Sequence, residues 1–179
     1  MIMSIGLIEL NSIARGVEST DAMLKAGSVE LIFARPVCPG KYIALIAGDV
    51  GAVKAALAAG TAMGGFNMVN SLLIPHIHPD LIPAINATVG IEQVEALGVA
   101  EYFDITSAIV GADAAAKAGA VKLIEVRLGM GIAGKSFFSM CGTVSDVRSA
   151  LGAALAGQEG VVGSCVIPSP SPELFHAML

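Results

Sequence analysis

The chain has 179 residues, of which 55% are hydrophobic and 14% charged, with a formal net charge of −5. Aromatic residues make up only 4% and Trp is absent, so we expect a core of Ala, Val, Ile, Leu and Met. No Lys/Arg cluster is interleaved with aromatic residues, which argues against nucleic-acid binding. The mean hydropathy of +0.77 is high for a small chain, and it indicates either a membrane protein or extensive self-association.

A membrane-spanning helix requires about 20 consecutive apolar residues. The longest charge-free stretch, from Ala55 to Pro79, contains two Asn, several Gly and two Pro, which such a helix would not tolerate. The first residues have no basic region and reach Glu9 early, so they do not resemble a signal peptide. We therefore expect a cytosolic chain without membrane association, whose apolar surface is buried between subunits.

The sequence repeats itself. IGLIEL from Ile5 returns as LGVAEY, and DAMLKAGSVEL from Asp21 returns as DAAAKAGAVKL, both 92 positions later. PGKYIALIAGDVGAVKAAL returns as AGKSFFSMCGTVSDVRSAL after 94 positions, and SLLIPHIHPDL returns as SCVIPSPSPEL after 93. These small changes of offset are typical of insertions and deletions in loops. We predict two tandem domains, 1–90 and 91–179, joined near residues 87–96.

Each copy predicts the element order βαββαβ, an α+β fold in which helices cover a small antiparallel sheet. In the first copy, taken in chain order, we expect a strand at Ile5–Leu10, a helix from about Val17 to Ala26 ended by Gly27, strands at Val29–Val37 and Tyr42–Ala47, a helix from Val50 to about Ala59, and a strand at Met68–Ile74 closed by Pro75. Asp49 and its counterpart Thr143 are expected to cap the second helix of each copy.

One segment matches a phosphate-binding pattern. Gly129 to Ser136 fits G-x-x-x-x-G-K-[ST], which in a P-loop precedes a helix whose first N–H groups bind phosphate. Here Phe137 to Gly142 predicts a strand instead, so a glycine-rich hairpin loop is the favoured interpretation. A P-loop phosphotransferase is kept as an alternative of a different class.

Candidate metal ligands are few. His76 and His78 stand two apart and would share a face of a strand, but they lie between Pro75 and Pro79, which favours a solvated turn. Three Cys, an odd and sparse set, argue against a disulfide framework. Cys141 and Cys165 lie in apolar runs and are expected to be small core residues. No combination of nucleophile and base predicts an enzyme.

The motifs GLIE at Gly6, DAMLKA at Asp21, GDVGAV at Gly48 and SLLIP at Ser71, with their second copies, resemble the bacterial microcompartment shell domain. The resemblance covers nearly the full chain. Single-domain members form hexamers with a central pore, so two fused copies imply a homotrimer of pseudo-hexameric outline. It also implies location in a microcompartment shell in the bacterial cytoplasm, among other shell proteins.

The segment from Pro36 to Lys41 is similar to that of T-type shell proteins of propanediol-utilisation compartments, in which a Cys lines the pore. This resemblance implies that Cys38 of three copies holds one [4Fe–4S] cluster per trimer, for electron transfer across the shell, with an internal or external redox enzyme as a partner. Ile132 replaces the Cys in the second copy, so three thiolates and not six would meet. The implied pore-lining residues besides Cys38 are Val37, Pro39, Gly40, Gly131, Ile132 and Ala133.

Contacts between neighbouring shell proteins carry over in part. The family's edge Lys corresponds to Lys25 and Lys117, while His76 and Ser169 stand where the family often has Arg, which puts strong self-tiling in doubt. Two hypotheses of the same class remain: a shell protein with an iron–sulfur pore, and one with an open pore for small metabolites.

Overall fold

The computed structural model describes residues 3–87, 89–90 and 94–174. Its contacts divide the chain into two compact units, Met1–Ile77 and His78–Leu179. Each unit contains strands and helices in the predicted order βαββαβ. No helix within the described ranges is long and apolar enough to cross a membrane.

Unit 1 contains one four-stranded antiparallel sheet with strand order β2-β3-β1-β4. Its elements in chain order are β1 (Ser4–Leu10), α1 (Ile13–Ala26), β2 (Glu30–Val37), β3 (Lys41–Gly48), α2 (Val50–Gly64), a 3₁₀ turn (Gly65–Asn67) and β4 (Met68–Ile74). The predicted strand Met68–Ile74 has the observed bounds.

Unit 2 repeats this arrangement, with strand order β6-β7-β5-β8, and adds a short helix at its start. Its elements are α3 (Leu81–Ile85), β5 (Ala96–Tyr102), α4 (Ile105–Ala118), β6 (Lys122–Leu128), β7 (Ser136–Gly142), α5 (Val144–Leu155) and β8 (Val161–Pro168). The predicted fold class, two tandem α+β domains with antiparallel sheets, is confirmed.

The helices of unit 1 pack on one face of its sheet. Ile8 and Leu10 of β1 form a core cluster with Met23 of α1 and with Val53 and Leu57 of α2. Each such side chain contributes about 1.5–3 kcal/mol when fully buried. A Cβ at Gly6 would lie 2.7 Å from Cγ1 of Val53, so glycine lets α2 approach the sheet closely.

Helix α2 ends at Gly64, five residues beyond the predicted Ala59. Three further features of the helix ends differ from the predictions. α1 begins at Ile13, earlier than the predicted Val17, because the Ser12 side chain accepts a hydrogen bond from the Arg15 N–H. Asp49 occupies the N-cap of α2 but makes no side-chain capping bond, whereas Thr143 accepts one from the Asp146 N–H at 3.1 Å.

The third difference concerns Gly27. It follows α1 as predicted, but with extended backbone (φ −148°), so it is not the left-handed cap that glycine usually supplies there. Glycine is required for another reason: a Cβ would lie 2.6 Å from the carbonyl oxygen of Ala52.

Candidate functional site: the Cys38 turn

Cys38 lies in a three-residue turn between β2 and β3. The Gly40 N–H donates to the Val37 carbonyl at 3.0 Å, and Gly40 has φ +88°, a left-handed conformation that favours glycine. The Cys38–Pro39 peptide bond is cis. Val37 is buried, Cys38 is partly buried, and Pro39 and Gly40 are exposed. The turn therefore holds one partly accessible thiol between a buried strand end and solvent.

The corresponding loop of unit 2 is longer and carries no thiol. It runs from Gly129 to Lys135 between β6 and β7, with Ile132 partly exposed at the position of Cys38. Gly131, Ala133 and Gly134 all have positive φ, and Gly134 (φ +82°) matches Gly40. Because Ser136 begins β7, no helix follows the loop and the phosphate-binding interpretation lacks its structural context.

An ion pair lies behind each loop, and neither lysine was singled out from the sequence. Lys41 Nζ donates to Glu9 Oε1 at 2.9 Å, and Lys135 Nζ donates to Glu101 at the equivalent position. The signal was available, since Lys follows Gly in both copies of the loop motif and Glu recurs in both copies of β1. Each pair links the strand that leaves the loop, β3 or β7, to the neighbouring inner strand, β1 or β5.

The other two Cys, Cys141 and Cys165, differ in burial. Cys141 is buried in β7, as expected; burial raises the pKa of its thiol, against a smaller opposing effect of Lys122. The expectation of a core position for Cys165 is wrong, because it lies exposed on the edge strand β8. Within the described part of the chain, no three His, Cys, Asp or Glu side chains lie together as a metal site.

Comparison with known proteins decides the family. The sequence profile of the BMC domain matches residues 4–77 and 96–170. The chain belongs to the BMC-domain family of bacterial microcompartment shell proteins. It is 40% identical to the microcompartment shell protein PduT of Citrobacter freundii, over all of this chain and 99% of that protein.

Solved structures agree with the assignment. A microcompartment protein of Desulfitobacterium hafniense has a TM-score of 0.93 and 47% identity, covering 98% of this chain and 99% of the other. A fused, permuted hexameric shell protein of the RMM microcompartment has a TM-score of 0.62 and 26% identity, covering 85% of this chain and 81% of the other. Because that second protein is described as permuted, its likeness to this chain supports the fold alone.

Three residues were predicted to lie at edges between neighbouring shell proteins of this family. Lys25 and Lys117 each lie in the last turn of their helix and pair with the Asp four residues earlier, Asp21 and Asp113, at 2.5 Å. His76 is exposed and has φ +54°, so the predicted solvated turn agrees with its surroundings. Their role at an edge between shell proteins stays a prediction.

Proposed function

We propose that three copies of this chain form a shell trimer of pseudo-hexameric outline, whose Cys38 turns meet at a central pore and hold one [4Fe–4S] cluster. As a member of its family the chain belongs in the microcompartment shell, in the bacterial cytoplasm. Its role there is structural and electron-transferring, with other shell proteins and a redox enzyme as partners.

The observation that carries the proposal is the Cys38 turn itself. Residues 1–77 contain this one Cys, at a partly accessible turn, and the matching position of unit 2 is Ile132. Full-length similarity to PduT supports the comparison with T-type shell proteins.

The donor set fits a cluster only in a symmetric assembly. Iron–sulfur clusters are held mainly by Cys thiolates, and a [4Fe–4S] cluster has four irons to ligate. One chain offers one thiol here, so three chains would offer three, leaving one iron for another ligand. When bound, the cluster supplies one-electron transfer. The protein's contribution is the turn. The buried Val37 anchors the turn in the sheet, and Gly40 lets the chain reverse direction, so that the Cys38 thiol remains partly accessible at the surface of unit 1.

The test uses protein produced with iron and purified without oxygen. We expect a brown protein that dithionite bleaches, with iron and sulfide for one cluster per trimer and a mass of three times 18.1 kDa in light scattering. Cys38→Ser should remove the colour and keep the trimer. Cys165→Ser, at an exposed thiol, and Cys141→Ser, at a buried one, are the controls and should keep both.

Two results would change the proposal. Stoichiometric iron in Cys38→Ser would place the cluster elsewhere. A trimer that never binds iron, even after anaerobic reconstitution, would favour the open pore for small metabolites.

A further inference from the structure

The segment that precedes β5 docks onto its own unit. The His78 N–H donates to Oδ1 of Asp113 at 2.7 Å, and the following helix α3 packs on β6 and α4. Three apolar residues of α3 are buried there: Leu81, Ala84 and Ile85. Unit 2 therefore has a docking surface on α4 and β6, and residues 78–86 fill it.

The equivalent surface of unit 1, on α1 and β2, is exposed. Because the two units are copies, each position can be compared with its counterpart. The exposed residues, each with its buried counterpart in unit 2, are Val17 (54% exposed) with Ile109 (0%), Leu24 (39%) with Ala116 (5%), and Leu31 (39%) with Leu123 (0%). Unit 1 thus presents an apolar surface whose copy in unit 2 is covered.

The polar anchor of this surface is repeated as well. Asp113, which accepts the His78 N–H, has a side chain 7% exposed, whereas that of its counterpart Asp21 is 60% exposed. Both carboxylates bind their helix lysine through Oδ2. In unit 2 the other oxygen, Oδ1, receives the docked segment.

The repeat also supplies a second docking segment. In the sequence, residues 171–179 (SPELFHAML) follow β8 as residues 78–86 follow β4, with an offset of 93 positions. Leu174, Ala177 and Met178 correspond to the buried Leu81, Ala84 and Ile85. Residues 175–179 lie outside the described residues. In the preceding turn the same two positions are joined, but through different acceptors: the Leu174 N–H donates to Ser171 Oγ at 3.3 Å, and the Leu81 N–H donates to the His78 carbonyl at 3.1 Å. Leu174 is 41% exposed.

We propose that residues 171–179 of one copy dock on α1 and β2 of a second copy, as residues 78–86 dock on α4 and β6 of their own chain. The Ser171 N–H then donates to Oδ1 of Asp21, and Leu174 packs against the surface of Val17, Leu24 and Leu31. The occupant is a second copy because one chain by itself leaves both Leu174 and Val17 exposed. Such a head-to-tail contact can close into a symmetric assembly.

This inference rests on the proposed trimer and names the contact that closes it. Cross-linking tests it directly. The double variant Asp21→Cys/Ser171→Cys, made with Cys38→Ser and Cys165→Ser to remove the other accessible thiols, should form disulfides between chains. We expect a covalent trimer without reductant, and single-Cys variants that yield dimers at most.

Two controls use the filled surface of unit 2. His78→Cys/Asp113→Cys should form a disulfide within one chain, because these residues are in direct contact. Asp113→Cys/Ser171→Cys should not link chains, because residue 78 already occupies Asp113. Light scattering is measured first, because a monomer would contradict the proposed trimer itself. If the protein is a trimer but the Cys pair at 21 and 171 links only within a chain, or not at all, the docking alone is contradicted.

A second measurement does not depend on cysteine geometry. Leu174→Asp places a charge on the docked face. It should raise the protein concentration at which the trimer dissociates by about tenfold or more. Ser169→Asp, an exposed position before the segment, should leave it unchanged. Equal dissociation of both variants would contradict the proposal, and loss of iron colour without dissociation would concern the Cys38 proposal instead.

Discussion

Lys41 Nζ donates to Glu9 Oε1 at 2.9 Å, and this carboxylate is almost completely buried, with a side chain only 2% exposed. Lys41 begins β3, three residues after Cys38, so the pair ties the end of the turn to the neighbouring strand β1. The equivalent carboxylate of unit 2, Glu101, is 35% exposed. The two copies of one ion pair therefore differ in burial, which makes them a matched test.

Lys41→Met should destabilise the protein more than Lys135→Met. Removing Lys41 leaves a buried carboxylate without its cation, at a cost of about 3 kcal/mol. Removing Lys135 from the more exposed pair should cost about 1 kcal/mol or less. Urea denaturation of the two variants measures the difference, and equal shifts of the midpoint would contradict the role of burial.

Gly111→Ala should lower stability by about 1–3 kcal/mol, because the added methyl would lie 2.4 Å from the Tyr102 hydroxyl oxygen. The buried hydroxyl donates to the Ala154 carbonyl at 3.1 Å and has little room to move. Gly152→Ala is the control: it lies inside α5 with no atom near the new methyl, and should stabilise by about 1 kcal/mol. Thermal unfolding compares them; a neutral Gly111→Ala would show that α4 can shift.

Tyr102 should make stability fall at alkaline pH. Burial raises its pKa from 10.0 to about 12, so between these values the unfolded chain loses the phenol proton while the folded protein keeps it. Its contribution is fully present below pH 10 and is lost as the pH rises towards 12, by about 1.4 kcal/mol per pH unit at most.

Tyr102→Phe isolates this effect from other titrations. The variant should be less stable at neutral pH, because it loses the hydrogen bond to Ala154. The difference from the wild type should shrink above pH 10. A constant difference in urea unfolding from pH 8 to 11 would contradict the raised pKa.

Lys25→Asp together with Lys117→Asp should leave the proposed trimer intact but reduce incorporation into shells. Lys25 contributes little to stability, typically tenths of a kcal/mol, because its pair with Asp21 is exposed. Lys117 pairs with Asp113, whose side chain is only 7% exposed, so Lys117→Asp should also lower the free energy of unfolding, which urea denaturation measures separately. Co-purification with shells measures incorporation, and light scattering checks the trimer. Unchanged incorporation would indicate solvated lysines without an edge role.

The repeat made most of the fold predictable, because each helix or strand predicted in one copy could be checked against its counterpart in the other copy. What failed were features that depend on tertiary contact. Nothing local distinguishes the capping Ser12 from the non-bonding Asp49, and the exposure of Cys165 depends on β8 being an edge strand. Helix α3 was missed because it is five residues long, contains Pro83 and is stabilised by packing on unit 2.

The candidate site was predictable at the turn but not behind it. Cys38 and Gly40 stand out in the sequence through their neighbours Pro36 and Pro39. The pairing of Glu9 with Lys41 joins residues far apart in sequence, and only the register of β1 against β3 brings them together. A search for opposite charges that recur in both copies would have found it.

The two loops also differ in what they tolerate. The turn of unit 1 has three residues and one internal hydrogen bond, whereas the loop of unit 2 has seven residues and four left-handed positions, at Gly129, Gly131, Ala133 and Gly134. The thiol thus lies in the shorter of the two loops, and the longer loop of unit 2 carries none. A peptide grafted between Gly129 and Lys135 would therefore change the loop of unit 2 and leave Cys38 and its turn as they are.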